Sequence, residues 1–413
     1  MPGYRLFKIR QHFERNELQD PQAALRKQLG RIAELIRPDA RIAIGVGSRG
    51  IHNLPLIVKE VSEFVRARGA RPFIVPAMGS HGGATAEGQR EVLRLNGISE
   101  ETVGAPVLAA MDVVEFPQGP LRHRIFMDRH AYESDGVILI NRIKPHSDYH
   151  GRYESGLMKM ALIGLGKLEG ALAVHAFGVD GLRDMIGPGA TQVLASGKIL
   201  AGIGLVENAF HATMIVRVLK ADEIADEEPK LLAAATASMP SLPVDAIDVL
   251  VIDRMGKDVS GVGIDPNITG RIGVRGQDAA SWPHVKAIAV TDLTDASHGN
   301  AIGVGLADVI TRRLYDKIDR AETYRNVITS SFLERAKIPI VAESDREAFE
   351  IALRSCGHVP DGHARIIRML DTLHLEHIYV SQAIAGELRN SPRVEVAATG
   401  ANLFNASGEL STF

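Results

Sequence analysis

The run Gly136-Val-Ile-Leu-Ile140 constrains this chain most. Five apolar residues without polar alternation read as a strand buried on both faces, the kind that parallel sheets hold between layers of helices. The run empties at once into a polar stretch, NRIKPHSDYHGRYESGLMK over residues 141–159, followed by His175. In an open α/β sheet the carboxyl end of a strand opens onto the crevice where ligands bind. Taken singly, Lys159 reads as a snorkelling helix lysine, and His146 and His150 as solvated loop residues. Together at a strand end they read as a site.

The flanking sequence repeats the same strand–loop–helix rhythm, which predicts α/β architecture with mostly parallel sheets flanked by helices. Leu25, Leu29, Ile32, Leu35 and Ile36 are spaced for one helical face. Residues 41–46 and 72–76 read as strands. Between them, Asn53 can cap a helix with Pro55 in its first turn. Thr85 opens another helix, with Asn96-Gly97 as its stop. The loops carrying Arg49, His81 and His146 each follow a strand, so all three belong on one sheet edge. Further strands are expected at 212–219, 246–252, 285–290 and 338–342.

At 413 residues the chain exceeds one ordinary core. The acidic and then Ala-rich stretch 221–243, broken by Pro240 and Pro243, reads as the boundary. Two domains, 1–242 and 243–413, are expected, with an active site in the cleft between them. Lys+Arg of 47 against Asp+Glu of 50 argues against nucleic-acid and membrane-surface roles. Cys356 is the one cysteine, which excludes an intramolecular disulfide framework and a multi-cysteine metal site. The charged N-terminus has no signal-peptide core, and no apolar run reaches the ~18 residues of a membrane span. A cytoplasmic protein is expected.

Several chemistries compete. Gly45-x-Gly47-x-x-Gly50 matches the dinucleotide fingerprint by spacing, so a NAD-type dehydrogenase is the runner-up. The next strand, however, ends in Pro76-Ala-Met-Gly-Ser-His81, with no acidic residue to hold a ribose. His146-x-x-x-His150 could be a zinc pair, but Gly151 interrupts the turn and no third ligand is evident. Ser80-His81 and Ser297-His298 are neighbours in sequence, which is not a nucleophile–base spacing, and no G-x-S-x-G elbow exists. A protein that binds a nucleotide-like anion without catalysis is a further alternative.

The ordered set Pro145-His146, Ser155-Gly-Leu-Met-Lys159 and His175 resembles the nickel-dependent lactate racemase family. Its pattern is a P-H pair, then S-G-G-R-K, then a histidine some turns later. Upstream, Gly79-Ser-His81 stands for the family's G-x-H turn and Ser48-Arg49 for its T-R pair. Downstream, Asp265-x-Asn267-Ile268 stands for D-x-N-L. There are departures. Val46 replaces an aspartate, Leu157-Met158 replaces G-R, and the loop after His146 is longer. Thr269-Gly-Arg271 stands where the family has Y-Q-x-x-K.

The resemblance implies a racemase or epimerase acting at C2 of a 2-hydroxy acid. Its cofactor would be a nickel-pincer nucleotide tethered to Lys159, with Ser48, Arg49, Ser155 and Gly156 around it and His175 on the nickel. His81 and His146 would be the acid–base pair. Arg49 would hold a carboxylate or phosphate, and Lys257 or Arg271, with Asp265 and Asn267, would bind substrate. The departures point to a substrate larger and more polar than lactate, such as a sugar acid. Implied partners are the substrate and the proteins that make and deliver the cofactor. A homo-oligomer stays open.

Overall fold

The computed structural model describes residues 4–48, 50–116, 121, 123–275, 282–360 and 362–412. The chain forms two compact units, Glu14–Met239, and Met1–Phe13 with Pro240–Phe413. The strands are β1 (Arg5–Gln11), β2 (Arg41–Val46), β3 (Arg71–Pro76), β4 (Val113–Phe116), β5 (Ile125–Asp128), β6 (Gly136–Arg142), β7 (Ile199–Glu207) and β8 (Thr213–Lys220). They continue with β9 (Ala246–Ile252), β10 (His284–Val290), β11 (Val309–Thr311), β12 (Ile340–Ala342), β13 (Ile366–Met369), β14 (His377–Ser381), β15 (Val394–Val396) and β16 (Ala401–Asn402).

In the unit Glu14–Met239 the sheet order is β3-β2-β6-β7-β8. All neighbours are parallel except β7 and β8. The apolar run of β6 is buried throughout residues 136–140, as a strand covered on both faces requires. One face packs on the helices Pro21–Leu29 and Leu54–Ala67, through Leu25, Ile57, Val61 and Val65. The other face receives residues 157–164 and the helix Ala221–Ser238. Gly202 of β7 leaves the space that Leu157 and Ile224 fill. Asn53 does not cap its helix through its side chain; it takes a left-handed conformation, φ 60°, ahead of Leu54. Thr85 does cap, its hydroxyl accepting the Gly88 N–H at 3.0 Å.

The stretch 221–243 is not a linker throughout. Residues Ala221–Ser238 form one long helix, with Ile224, Glu228, Leu231, Leu232 and Ala235 buried. The expected first domain, 1–242, also took in the N-terminal strand. That strand, β1, pairs instead with β14, β15 and β16 of the other unit. There the described strands make a nine-stranded sheet, parallel over β12-β11-β10-β9-β13 and antiparallel beyond. The helix Asp345–Ser355 covers one face through Ala348, Phe349 and Ala352. No helix among the described residues is long and apolar enough to cross a membrane.

Candidate active site

The carboxyl ends of β3, β2 and β6 lie level, Val46 standing opposite both Pro76 and Ile140. The chain leaves β2 toward β3 on one side, and leaves β6 toward β7 on the other. The switch point of this sheet therefore lies between β2 and β6, where such folds open a crevice. The loops after these strands carry Ser48, Arg49 and His146. Arg49 itself lies outside the described residues. His81 lies on the loop after β3.

Local bonding explains the shape of the segment after β6. Backbone bonds between Lys144 and Ser155, at 3.0 and 3.2 Å, close residues 145–154 into a loop. Glu154, almost buried, fills it: its carboxylate accepts the N–H of His146 at 2.5 Å and of Gly151 at 3.1 Å, with the His150 ring at 3.3 Å. Asn141 Nδ2 then donates to the Gly156 carbonyl at 2.8 Å, and so places the turn before Lys159. His150 is half-exposed and serves this loop through Glu154.

Lys159 is not a solvent lysine. Its Nζ touches His146 Nε2. The His146 ring lies 4.7 Å from the ring of Tyr149, with Lys159 Nζ 5.9 Å from the Tyr149 centroid. Tyr149 is fully buried, and its hydroxyl has no hydrogen-bond partner among the described residues. Burial, with Glu154, Asp148 and Glu228 nearby, pushes that phenol well above its ordinary range. His175 ends the helix Lys167–His175. Burial first, and the Lys159 charge second, push its pKa down to about 4 against the pull of Asp148. At neutral pH its ring is neutral, with a lone pair for a metal.

The His81 loop is held from behind. Gly79 N–H bonds the Gly164 carbonyl at 3.0 Å, just beyond Lys159 in the chain. Gly79 has φ +60°, and a side chain there would also press on the Ile163 carbonyl. Buried Gln89 donates to the carbonyls of Gly79 at 2.7 Å and His81 at 3.2 Å. Its other amide atom accepts from Lys167 Nζ at 3.0 Å. Lys167 is wholly buried and paired with buried Asp128 at 3.0 Å. Its pKa is lowered by burial, with Asp128 pulling the other way. His81 Nδ1 meets the Met78 carbonyl at 2.7 Å. A carbonyl only accepts, so Nδ1 carries the proton and the lone pair of the neutral ring sits on Nε2.

A further carboxylate escaped the sequence reading. Glu228 reaches from the long helix to accept the N–H groups of Leu157 and Met158 at 2.6 and 2.9 Å, capping the turn that bears Lys159. A Cβ at position 156 would lie 2.4 Å from its Oε1, so Gly156 is there to admit Glu228. Burial raises the Glu228 pKa to about 7, against those two backbone bonds. Nothing near Lys159 in sequence signals this partner. Val46, which stands where the resemblance places an aspartate, is buried in the core with Ile42 and Ile44.

The dinucleotide reading meets an obstacle. Gly45 packs against Leu139 and Ala77. The helix start after Gly50 has the Glu207 carboxylate beside it, accepting the His52 N–H at 2.8 Å. Ser48 gives its carbonyl to Asn96 at 3.1 Å.

The candidates of the other unit are built into its own loops. Lys257 Nζ donates to the Gly261 carbonyl at 2.7 Å and to Asn326 at 2.9 Å. Asp265 caps the turn Pro266–Thr269 through the N–H of Asn267 and also takes its amide, each at 3.0 Å. Arg271 pairs with Asp308 at 2.5 Å and donates to the carbonyls of Lys286 at 2.8 Å and Leu306 at 3.2 Å. Among the described residues no group of three or more His, Cys, Asp and Glu side chains is placed to hold a metal ion. A site with one histidine ligand does not need such a group.

Fold and site together define an α/β chain with a lysine–histidine cluster at a sheet switch point. The fold is lactate-racemase-like. The structure is similar to that of the lactate racemase apoprotein from Thermoanaerobacterium thermosaccharolyticum, with a TM-score of 0.55 and 11% sequence identity, over 89% of this chain and 98% of that one. A likeness at that identity is one of fold. A protein from Thermotoga maritima is similar at a TM-score of 0.48 and 14% identity, over 68% of this chain and 72% of that one. A family model described as a domain of unknown function, DUF362, matches residues 35–237. No curated protein matches the chain in sequence.

Proposed function

We propose that the chain is a racemase or epimerase that inverts C2 of a 2-hydroxy acid, with a nickel-pincer nucleotide tethered to Lys159 and its nickel on His175. The observation that carries this reading is the cluster itself: Lys159 against His146, with the neutral His175 ring within reach of the Lys159 charge. The residues present fit the group. His175 offers an uncharged imidazole lone pair, which suits nickel. Lys159 offers an amine in a half-buried site that the Glu228-capped turn holds in place. The contribution of the group, when bound, is a reversible acceptor for the C2 hydride.

The remaining steps belong to side chains. His81 presents Nε2 as the base that takes the hydroxyl proton from one face. His146 serves the other face: its Nδ1 accepts the Asp148 N–H at 3.0 Å, so the neutral ring carries its proton on Nε2, toward Lys159, as the acid of the pair. Arg49 holds the substrate carboxylate or the cofactor phosphate, and Ser48, Ser155 and Gly156 line the cofactor. Of the substrate-binding candidates Lys257, Asp265, Asn267 and Arg271, Arg271 is the least available, because Asp308 and the carbonyls take its donors. The polar loop after His146, with Ser147, Asp148, Tyr149, His150 and Arg152, is the reason to expect a sugar acid rather than lactate.

The test is a peptide mass on protein from a cofactor-producing host, read with nickel content. The expected result is an adduct on the Lys159 peptide that Lys159→Ala abolishes. An unmodified Lys159 in active, nickel-loaded protein would contradict the tether. Cofactor bound without turnover of any hydroxy acid would leave a binding protein in place of an enzyme.

A further inference from the structure

The nine-stranded sheet has its own switch point. From β9 the chain runs to β10 on one side, whereas from β13 it runs to β14 on the other. The two strand ends stay side by side, Asp253 N–H bonding the Met369 carbonyl at 3.0 Å and Arg254 N–H the Leu370 carbonyl at 2.9 Å. Ligands of open α/β sheets sit at such points.

Asp371 lies there, fully buried. Its Oδ1 accepts the N–H groups of Leu373 and His374 at 2.9 and 3.0 Å, and His374 Nδ1 at 2.7 Å. Its Oδ2 takes Arg254 Nε at 3.0 Å. One buried carboxylate thus orients two exposed cationic or donor groups. The Arg254 and His374 side chains are 41% and 56% exposed. Arg254 is held through Nε alone among the described contacts, which leaves its two terminal amino groups as a fork. Nδ1 donates to Asp371, which leaves Nε2 of His374 facing outward. The other acids here are engaged: Asp253 takes both arms of Arg368 at 2.7 and 2.8 Å, and Asp265 serves its own turn.

We infer that the switch point between β9 and β13 is a binding site for a small hydroxycarboxylate, with Arg254 on the carboxylate and His374 on the adjacent hydroxyl. A planar guanidinium fork matches a carboxylate in two parallel bonds. An imidazole fixed by a buried aspartate presents one defined nitrogen to the neighbouring oxygen. The inference does not depend on the reaction proposed at Lys159.

The test uses the full chain without added nickel or cofactor. Ring signals of 15N-histidine-labelled protein are followed while lactate, gluconate or inorganic phosphate is added. The expected result is a saturable shift of the His374 signal with a hydroxy acid. Arg254→Gln should weaken it roughly tenfold or more. Asp371→Asn, which keeps the shape of the loop, should weaken it less. No saturable shift, or an equal affinity in a folded Arg254→Gln protein, would overturn the site. Phosphate binding as well as either hydroxy acid would overturn the carboxylate assignment. Each failure would leave the adduct test at Lys159 unaffected.

Discussion

Glu228 is a carboxyl group that folding moves out of water and onto two backbone N–H groups. Its folded pKa, about 7, stands above its unfolded value near 4.5. The folded state therefore holds the proton more tightly, so this contribution is complete below pH 4.5 and is lost as pH rises through 7. Replacing it by glutamine keeps an acceptor for Leu157 and Met158 and removes the titration. Glu228→Gln is expected to match the parent protein near pH 4.5 and to exceed it above pH 7, by at most about 3 kcal/mol. Denaturant unfolding at several pH values checks this. A pH-independent difference would show that Glu228 stays ionised in the fold. Gly156→Ala belongs to the same contact. It should cost about 1–3 kcal/mol, and Glu228→Asp, one methylene shorter, should recover part of that cost.

Buried Lys167 supports the whole His81 element, not only itself. Lys167→Met leaves the Asp128 charge without its cation, which should destabilise the protein by about 3–5 kcal/mol, measured as unfolding free energy. Asp128→Asn in the same chain should return part of the loss, because the amide oxygen can still cap Ala131. Gln89→Ala should be milder in stability, yet should speed amide exchange across residues 79–82, where it holds the Gly79 and His81 carbonyls. Elements of this kind were only partly legible in the sequence. The β2 and β9 strands were readable to the residue, because runs this rich in apolar residues need no partner to announce themselves. The long helix Ala221–Ser238 was not, since its acidic opening and Pro229 resemble a linker and its buried face depends on β7. The strand Arg5–Gln11 was missed because its inward residues, Phe7 and Ile9, alternate with charges, and its partners lie more than 300 residues away. In the site, the histidines and Lys159 stood out by spacing. Glu228, Lys167, Asp128 and Gln89 did not, because pairing across dozens of residues has no local signature.

At the scale of the molecule, the two units each place a parallel-strand switch point, one beside Lys159 and one beside Arg254. Substrate choice at the first is shaped by the loop after His146. Much of the polar content of the loop after His146 is turned inward onto Glu154, and Val46 lies in the core. What remains outward is His150 and Arg152, with Tyr149 buried behind them. The central claim is inversion at C2 by hydride that leaves and returns. It is tested most directly with C2-deuterated lactate, malate and aldonic acids, given to cofactor-loaded protein and to Lys159→Ala. The account predicts that an aldonic acid epimerises fastest, that its product keeps the deuterium at C2, and that Lys159→Ala is inactive. Inversion with loss of deuterium to solvent, or no inversion of any hydroxy acid with the cofactor bound, would contradict it.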